Sequence, residues 1–102
     1  MPGGGGPGDM VVDYYPNPVI GNSLIVQVGE IVMEGENLAV QPVSEQENYQ
    51  LLVSDMYGQV YNQKSTNSSE VYFNVSDLQP GVYRLIVIRE SQLVEKLFVR
   101  QN

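Results

Sequence analysis

The sequence predicts an all-β domain in which two antiparallel sheets pack face to face. Short apolar runs recur along the chain between turn residues, and none shows the 3.6-residue period of an amphipathic helix. Seven to nine such runs fit into the chain, a spacing typical of a β-sandwich. The length of 102 residues suits one domain with a single two-layer core.

The runs define the elements in chain order. Residues 1–9 read Met-Pro-Gly-Gly-Gly-Gly-Pro-Gly-Asp, which predicts a flexible, glycine-rich leader before a domain at residues 10–102. Apolar, turn-bounded segments then predict strands at residues 10–15, 24–28, 31–34, 38–41, 49–54, 59–63, 71–75, 81–89 and 92–100.

Three details of this layout are specific enough to test. Gly35-Glu36-Asn37 predicts the turn of an extra hairpin spanning residues 31–41. The most apolar strand, residues 81–89, is expected to be central, with Tyr83, Leu85 and Val87 facing the core. Strands 59–63 and 70–75 are expected to pair, and this pairing places Tyr57, Tyr61 and Tyr72 on one exposed face.

Composition excludes several classes of function. A net charge of −7 with only five basic residues disfavours nucleic-acid binding, which needs clustered Lys and Arg. The chain has no cysteine and no histidine, so thiolate sites, disulfides and the commonest general base are absent. No apolar stretch is long enough to span a membrane.

Acidic side chains supply the remaining candidate chemistry. Nothing in the sequence holds Glu45 or Glu47 opposite another carboxylate, so we expect no catalytic residue. Oxygen ligands for calcium occur close together in the sequence without a recognised ligand spacing, and we expect no metal and no cofactor. These oxygen ligands are Glu34, Glu36, Asn37 and Glu45.

One local signature predicts how the sandwich is connected. Leu78 precedes Pro80-Gly81, and Tyr83 follows in the next strand. In Greek-key sandwiches of the immunoglobulin-like class, a tyrosine near the start of a central strand bonds back to the backbone a few residues upstream. The spacing predicts such a structural corner, with Leu78 beneath it, Pro80 in the turn and Tyr83 as the pinning residue. We therefore expect an immunoglobulin-like Greek-key sandwich of about seven antiparallel strands.

Four motifs in order resemble a known family. They are Tyr15-Pro16-Asn17-Pro18-Val19, the turn Asp55-Met56-Tyr57-Gly58, the segment from Leu78 to Tyr83, and the closing Glu95-Lys96-Leu97-Phe98-Val99. Together they resemble the type A C-terminal sorting domain of the type IX secretion system of Bacteroidetes. The resemblance covers residues 14–100 and departs from the family by the extra hairpin.

The resemblance implies a non-catalytic sorting module on a secreted protein, recognised by the outer-membrane translocation machinery. It assigns the entry motif to Pro16, Asn17 and Pro18. It also assigns the middle turn to Asp55 and Gly58, and the late corner to Gly81 and Tyr83. The terminal strand, from Lys96 to Arg100, matches the segment that the machinery is thought to read. The implied location is exported: the periplasm, the cell surface or the extracellular space.

A second hypothesis remains open from the sequence. The extra hairpin and the seven tyrosines also suit a stand-alone secreted or surface domain that binds a protein or glycan ligand. Small secreted immunoglobulin-like domains of gut Bacteroidetes share the middle-turn and corner segments. The sequence leaves the oligomeric state open.

Overall fold

The computed structural model describes residues 9–42, 48–90 and 92–101. These residues form two antiparallel sheets packed as a β-sandwich, and no helix occurs among them. The prediction of an all-β sandwich is confirmed. The leader at residues 1–8 lies outside the described residues. The strands are β1 (Met10–Tyr15), β2 (Ser23–Glu34), β3 (Asn37–Pro42), β4 (Tyr49–Asp55), β5 (Val60–Thr66), β6 (Glu70–Asn74), β7 (Gly81–Arg89) and β8 (Gln92–Arg100).

Sheet 1 is built around the long strand β2. One side of β2 pairs with β1. The other side pairs with two strands, β6 along its first part and β3 along its last part. The predicted hairpin is present: β2 and β3 are joined by a turn in which Gly35 adopts φ 65°, a left-handed conformation that glycine takes without a steric penalty.

Sheet 2 has the strand order β5-β4-β7-β8. The predicted central strand, β7, lies between β4 and β8, and its side chains Tyr83, Leu85 and Val87 are buried as expected. They face the inner row of sheet 1, in which Leu24, Val26 and Phe73 are fully buried. Alternation of inward apolar and outward side chains along each strand therefore closes one core between the two sheets.

The separation of residues 24–28 and 31–34 into two strands is wrong, because both belong to β2. Gly29 does not mark a turn. A Cβ at this position would lie 2.7 Å from the carbonyl oxygen of Gln41, so the glycine permits the close approach of β3. The segment at residues 76–78 is a turn closed by a hydrogen bond from Leu78 N to Val75 O, at 3.0 Å.

The expected pairing of β5 with β6 is also wrong. β5 pairs with β4 in sheet 2, whereas β6 pairs with β2 in sheet 1. Tyr72 therefore lies on the outside of sheet 1, whereas Tyr61 packs edge-on against Tyr83 of sheet 2 with ring centroids 5.9 Å apart. The single tyrosine face that favoured a ligand-binding domain does not form.

Candidate functional site at one end of the sandwich

The entry motif, the middle turn and the late corner meet at one end of the sandwich, together with the last residues of the terminal strand. In the strand registers Asp55 pairs with Tyr83, and Gly81 pairs with Arg100. Next to the last pair of the β2–β6 ladder in sheet 1, Val75 N donates to Asn22 O at 2.8 Å, which joins the loop after the entry motif to the loop before the corner. We call this region the motif end; it comprises residues 16–22, 55–59, 75–83 and 98–101.

The entry motif carries the chain from sheet 1 to the edge of sheet 2. Pro16, Asn17 and Pro18 follow β1 directly, and the peptide bonds before both prolines are cis. Val19 then forms a parallel bridge with β8: its N–H donates to Val99 O at 2.7 Å, and its carbonyl accepts from Gln101 N at 2.8 Å. The proline motif thus places a completely buried valine against the terminal strand.

Arg100 ties the same two segments together with its side chain. Its Nη1 atom donates to the carbonyl oxygens of Ile20 at 3.1 Å and Gly21 at 2.8 Å, and to that of Gln101 at 2.9 Å. The residue is only 7% exposed. A buried guanidinium needs such acceptors, because desolvating a charge without partners is costly. The charge of Arg100 is therefore used within the fold.

Asp55 organises the middle turn. Its Oδ1 accepts hydrogen bonds from Tyr57 N at 2.8 Å and Gln59 N at 2.9 Å, and Gly58 adopts φ 94°. This is the side-chain-to-backbone arrangement that aspartate forms in tight turns. The backbone N–H of Gln59, with further help from that of Tyr57 and the hydroxyl of Tyr61, lowers the pKa of the Asp55 carboxyl below its usual value, although partial desolvation opposes them.

The late corner has the geometry of a pinned tyrosine. The Tyr83 hydroxyl donates to Gln79 O at 2.6 Å, and the residue is 6% exposed. Leu78 is buried beneath the corner, whereas Pro80 is exposed in the turn. The ring of Tyr83 stacks on Phe98 of β8, with centroids 5.7 Å apart. The corner, like the entry motif, therefore contacts the terminal strand.

Lys96 lies apart from the other motif residues. It pairs with Leu85 near the middle of β8 and is exposed. Of the two basic residues expected in the terminal segment, Lys96 is thus presented to solvent, whereas Arg100 is enclosed.

Sequence reasoning missed two residues that complete the motif end. Tyr61 donates from its hydroxyl to Asp55 Oδ2 at 3.4 Å while its ring contacts Tyr83, so it joins the middle turn to the corner. Tyr14 donates from its hydroxyl to Leu97 O on β8. Neither contact has a local signal, because each depends on which strands become neighbours across the fold.

The described residues contain no cluster of three or more acidic side chains that could hold a metal ion. Glu34, Glu36 and Asn37 are exposed around the hairpin turn, and Glu45 lies outside the described residues. Within the described part of the chain there is also no helix long and apolar enough to cross a membrane. What the motif end displays is a set of structural ties between loops and the terminal strand.

Residues 13–100 match the sequence model of a family described as secretion system C-terminal sorting domain. A search of curated proteins found no match. The matched range includes the second half of β1 and every later strand.

Proposed function

The chain belongs to the family of secretion system C-terminal sorting domains, and we propose that it acts without catalysis, as a folded address label presented to the outer-membrane translocation machinery. Domains of this family are sorting signals of the type IX secretion system, and they mark proteins for the cell surface or the extracellular space.

One observation carries the proposal: the motif residues tie the terminal strand into the fold. Val19 bridges β8 at its end, Arg100 holds the entry loop, and Tyr83 stacks on Phe98. A signal that is read at its terminal strand needs that strand to be held in a defined shape. The entry motif and the corner, distant in sequence, both supply this support.

The described residues support a non-catalytic role by their chemistry. Asp55 at the motif end is occupied by backbone amides of its own turn, and Arg100 by carbonyl oxygens. Neither group faces a partner carboxylate or nucleophile across a cleft, which acid–base or covalent catalysis requires.

The test is a transplantation experiment. Residues 10–102 are fused behind a periplasmic reporter in a bacterium with an active type IX system, and surface reporter is measured by protease accessibility on intact cells. We expect the reporter at the surface, and retention in the periplasm in a matched strain whose type IX translocon is inactive. A reporter that stays in the periplasm of the competent strain contradicts the proposal.

A further inference from the structure

The outward-facing side of β7 and β8 is an exposed apolar surface. Along β7 the outward row contains Val82, Ile86 and Ile88, and along β8 it contains Leu93, Leu97 and Val99. We call these six residues the outer face of sheet 2. Leu93 is 62% and Leu97 51% exposed. Leu52 of β4 extends the surface beside Ile86.

This surface carries no net charge, although the chain as a whole has a net charge of −7. Two charged side chains, Arg84 and Glu95, lie among its six apolar residues, and they neutralise each other in an ion pair of 2.9 Å. The outside of sheet 1 differs, because a polar row formed by Asp13, Gln27 and Glu70 crosses it. An apolar, neutral partner surface is therefore matched by sheet 2 and not by sheet 1.

The outer face of sheet 2 is the side from which a partner can contact β8 along its length. On the inner side, Phe98 and Arg100 are buried, and Val94 packs against the core. The free edge is covered by the beginning of the chain: Met10 N donates to Gln92 Oε1, Tyr14 donates to Leu97 O, and Val19 bridges the last residues. Strand addition at that edge is thus obstructed, whereas the outer side chains are accessible.

The size of the surface favours a transient partner over a second copy of the chain. Three strands at ~4.8 Å spacing and seven residues at ~3.3 Å rise give an area of roughly 300 Å². A stable dimer of standard size buries about 800 Å² on each partner. Patches of about 300–600 Å² on monomers are often functional. A sorting domain has to leave its receptor, so a limited contact suits it.

We propose that the outer face of sheet 2 is the surface on which the type IX machinery docks the folded domain, through an uncharged apolar surface of its own. This inference rests on the proposed function and specifies its contact. Leu93 and Leu97, the most exposed residues of the face, are the side chains that the partner covers first.

The experiment uses the reporter fusion with the pair Leu93→Lys and Leu97→Lys. Buried charge at two apolar contacts weakens docking, and we expect surface reporter to fall at least ~10-fold, the effect of ~1.4 kcal/mol. The matched control is the pair Met33→Lys and Leu38→Lys on the hairpin of sheet 1, because these residues are 52% and 54% exposed. The amount of surface reporter in the control is expected to stay within about twofold of that of the parent, because the hairpin lies outside the proposed docking surface.

Two further measurements make every result decisive. Circular dichroism melting of each purified domain checks folding, and the milder pair Leu93→Ala and Leu97→Ala replaces the lysine variants if these unfold. Equal loss in the sheet 1 control, or no loss in either folded sheet 2 variant, overturns the proposal. Sedimentation showing a dimer that the sheet 2 variants dissociate also overturns it, in favour of a second copy. Failure of the unmodified fusion contradicts the proposed function itself.

Discussion

Each end of the sandwich buries an arginine and a tyrosine, and the two ends differ in how the tyrosine hydroxyl is hydrogen-bonded. At the motif end, the Tyr83 hydroxyl donates to Gln79 O, and Nη1 of Arg100 donates to three carbonyl oxygens, whereas Nε of Arg100 has no partner among the described residues. At the opposite end, Arg89 contacts Glu30 at 3.3 Å, and the hydroxyl of buried Tyr49 has no hydrogen-bond partner among the described residues. The contrast therefore lies in the tyrosines: the Tyr83 hydroxyl is held by a hydrogen bond where the motif residues contact the terminal strand, whereas the Tyr49 hydroxyl is buried without one among the described residues.

The largest expected effect comes from breaking the Arg100 contacts. Arg100→Ala removes a buried donor and leaves the carbonyls of Ile20 and Gly21 without it. Because hydrogen bonds to charged groups contribute more than neutral ones, we expect the free energy of unfolding to fall by about 3 kcal/mol. Guanidinium chloride unfolding followed by circular dichroism measures this change.

Arg84→Ala is the matched control, since Arg84 is partly exposed and its ion pair with Glu95 is a surface contact. Such pairs contribute about 0–1 kcal/mol. Equal losses for the two variants would show that the guanidinium of Arg100 is not the tie that the geometry indicates.

The two buried tyrosines sharpen the comparison with a smaller effect. Tyr83→Phe deletes a hydrogen-bonded hydroxyl, and we expect a loss of about 1 kcal/mol in the free energy of unfolding. Tyr49→Phe deletes a buried hydroxyl that has no partner in the described ranges of the chain, and we expect either no change or a gain of up to about 1 kcal/mol. Denaturant titrations of both variants at pH 7 measure these changes. A loss in the free energy of unfolding for Tyr49→Phe as large as that for Tyr83→Phe would contradict the difference between the two hydroxyls.

Alkaline pH further separates Tyr49→Phe from the parent. Burial raises the pKa of Tyr49 from 10.0 to about 12, so the folded state favours the neutral phenol. The contribution of the neutral Tyr49 phenol to the free energy of unfolding is complete below pH 10, and it is lost as the pH rises through about 12. The stability of the parent should therefore decline more steeply than that of Tyr49→Phe between these two pH values.

Local features of the fold were predictable from the sequence. The alternation of residues along β7, the hairpin turn at Gly35 and the spacing of Leu78 and Tyr83 each depend on neighbours within a few positions. Periodicity and turn chemistry record such local constraints.

Long-range features were not predictable. Gly29 lies between two segments that the sequence predicts as separate strands, although its role is to let the backbone of β3 approach, which only the folded register reveals. The burial of Arg100 was not predictable either, because arginine is seldom buried without acceptors, and two of its three acceptors come from residues about 80 positions away in the sequence. β5 and β6 are consecutive strands that occupy different sheets, against the tendency of consecutive strands to pair.

The smallest expected effect is an acid-dependent one at the middle turn. The hydrogen bonds that Asp55 accepts, foremost from Gln59 N, lower its pKa in the folded state, so its carboxylate stabilises the fold above the ordinary pKa of aspartate. That contribution is lost as the pH falls through the lowered value, in the region below pH ~4. Asp55→Asn keeps an oxygen acceptor, but its amide is neutral and does not titrate. Because the variant lacks the charge that strengthens these hydrogen bonds, we expect its melting temperature to lie below that of the parent at pH 7.

Melting curves across this acid range test the linkage. The gap between the parent and Asp55→Asn should narrow as the pH falls below ~4, because the parent loses the charge that the variant lacks throughout. Asp77→Asn, in the exposed turn before the corner, is the control and should show no comparable gap at pH 7. A gap for Asp55→Asn that stays constant from pH 7 into the acid range would mean that the turn depends on the shape of the side chain and not on its charge. In that case the motif end would be latched by Arg100 and Tyr83 without an electrostatic contribution from the middle turn.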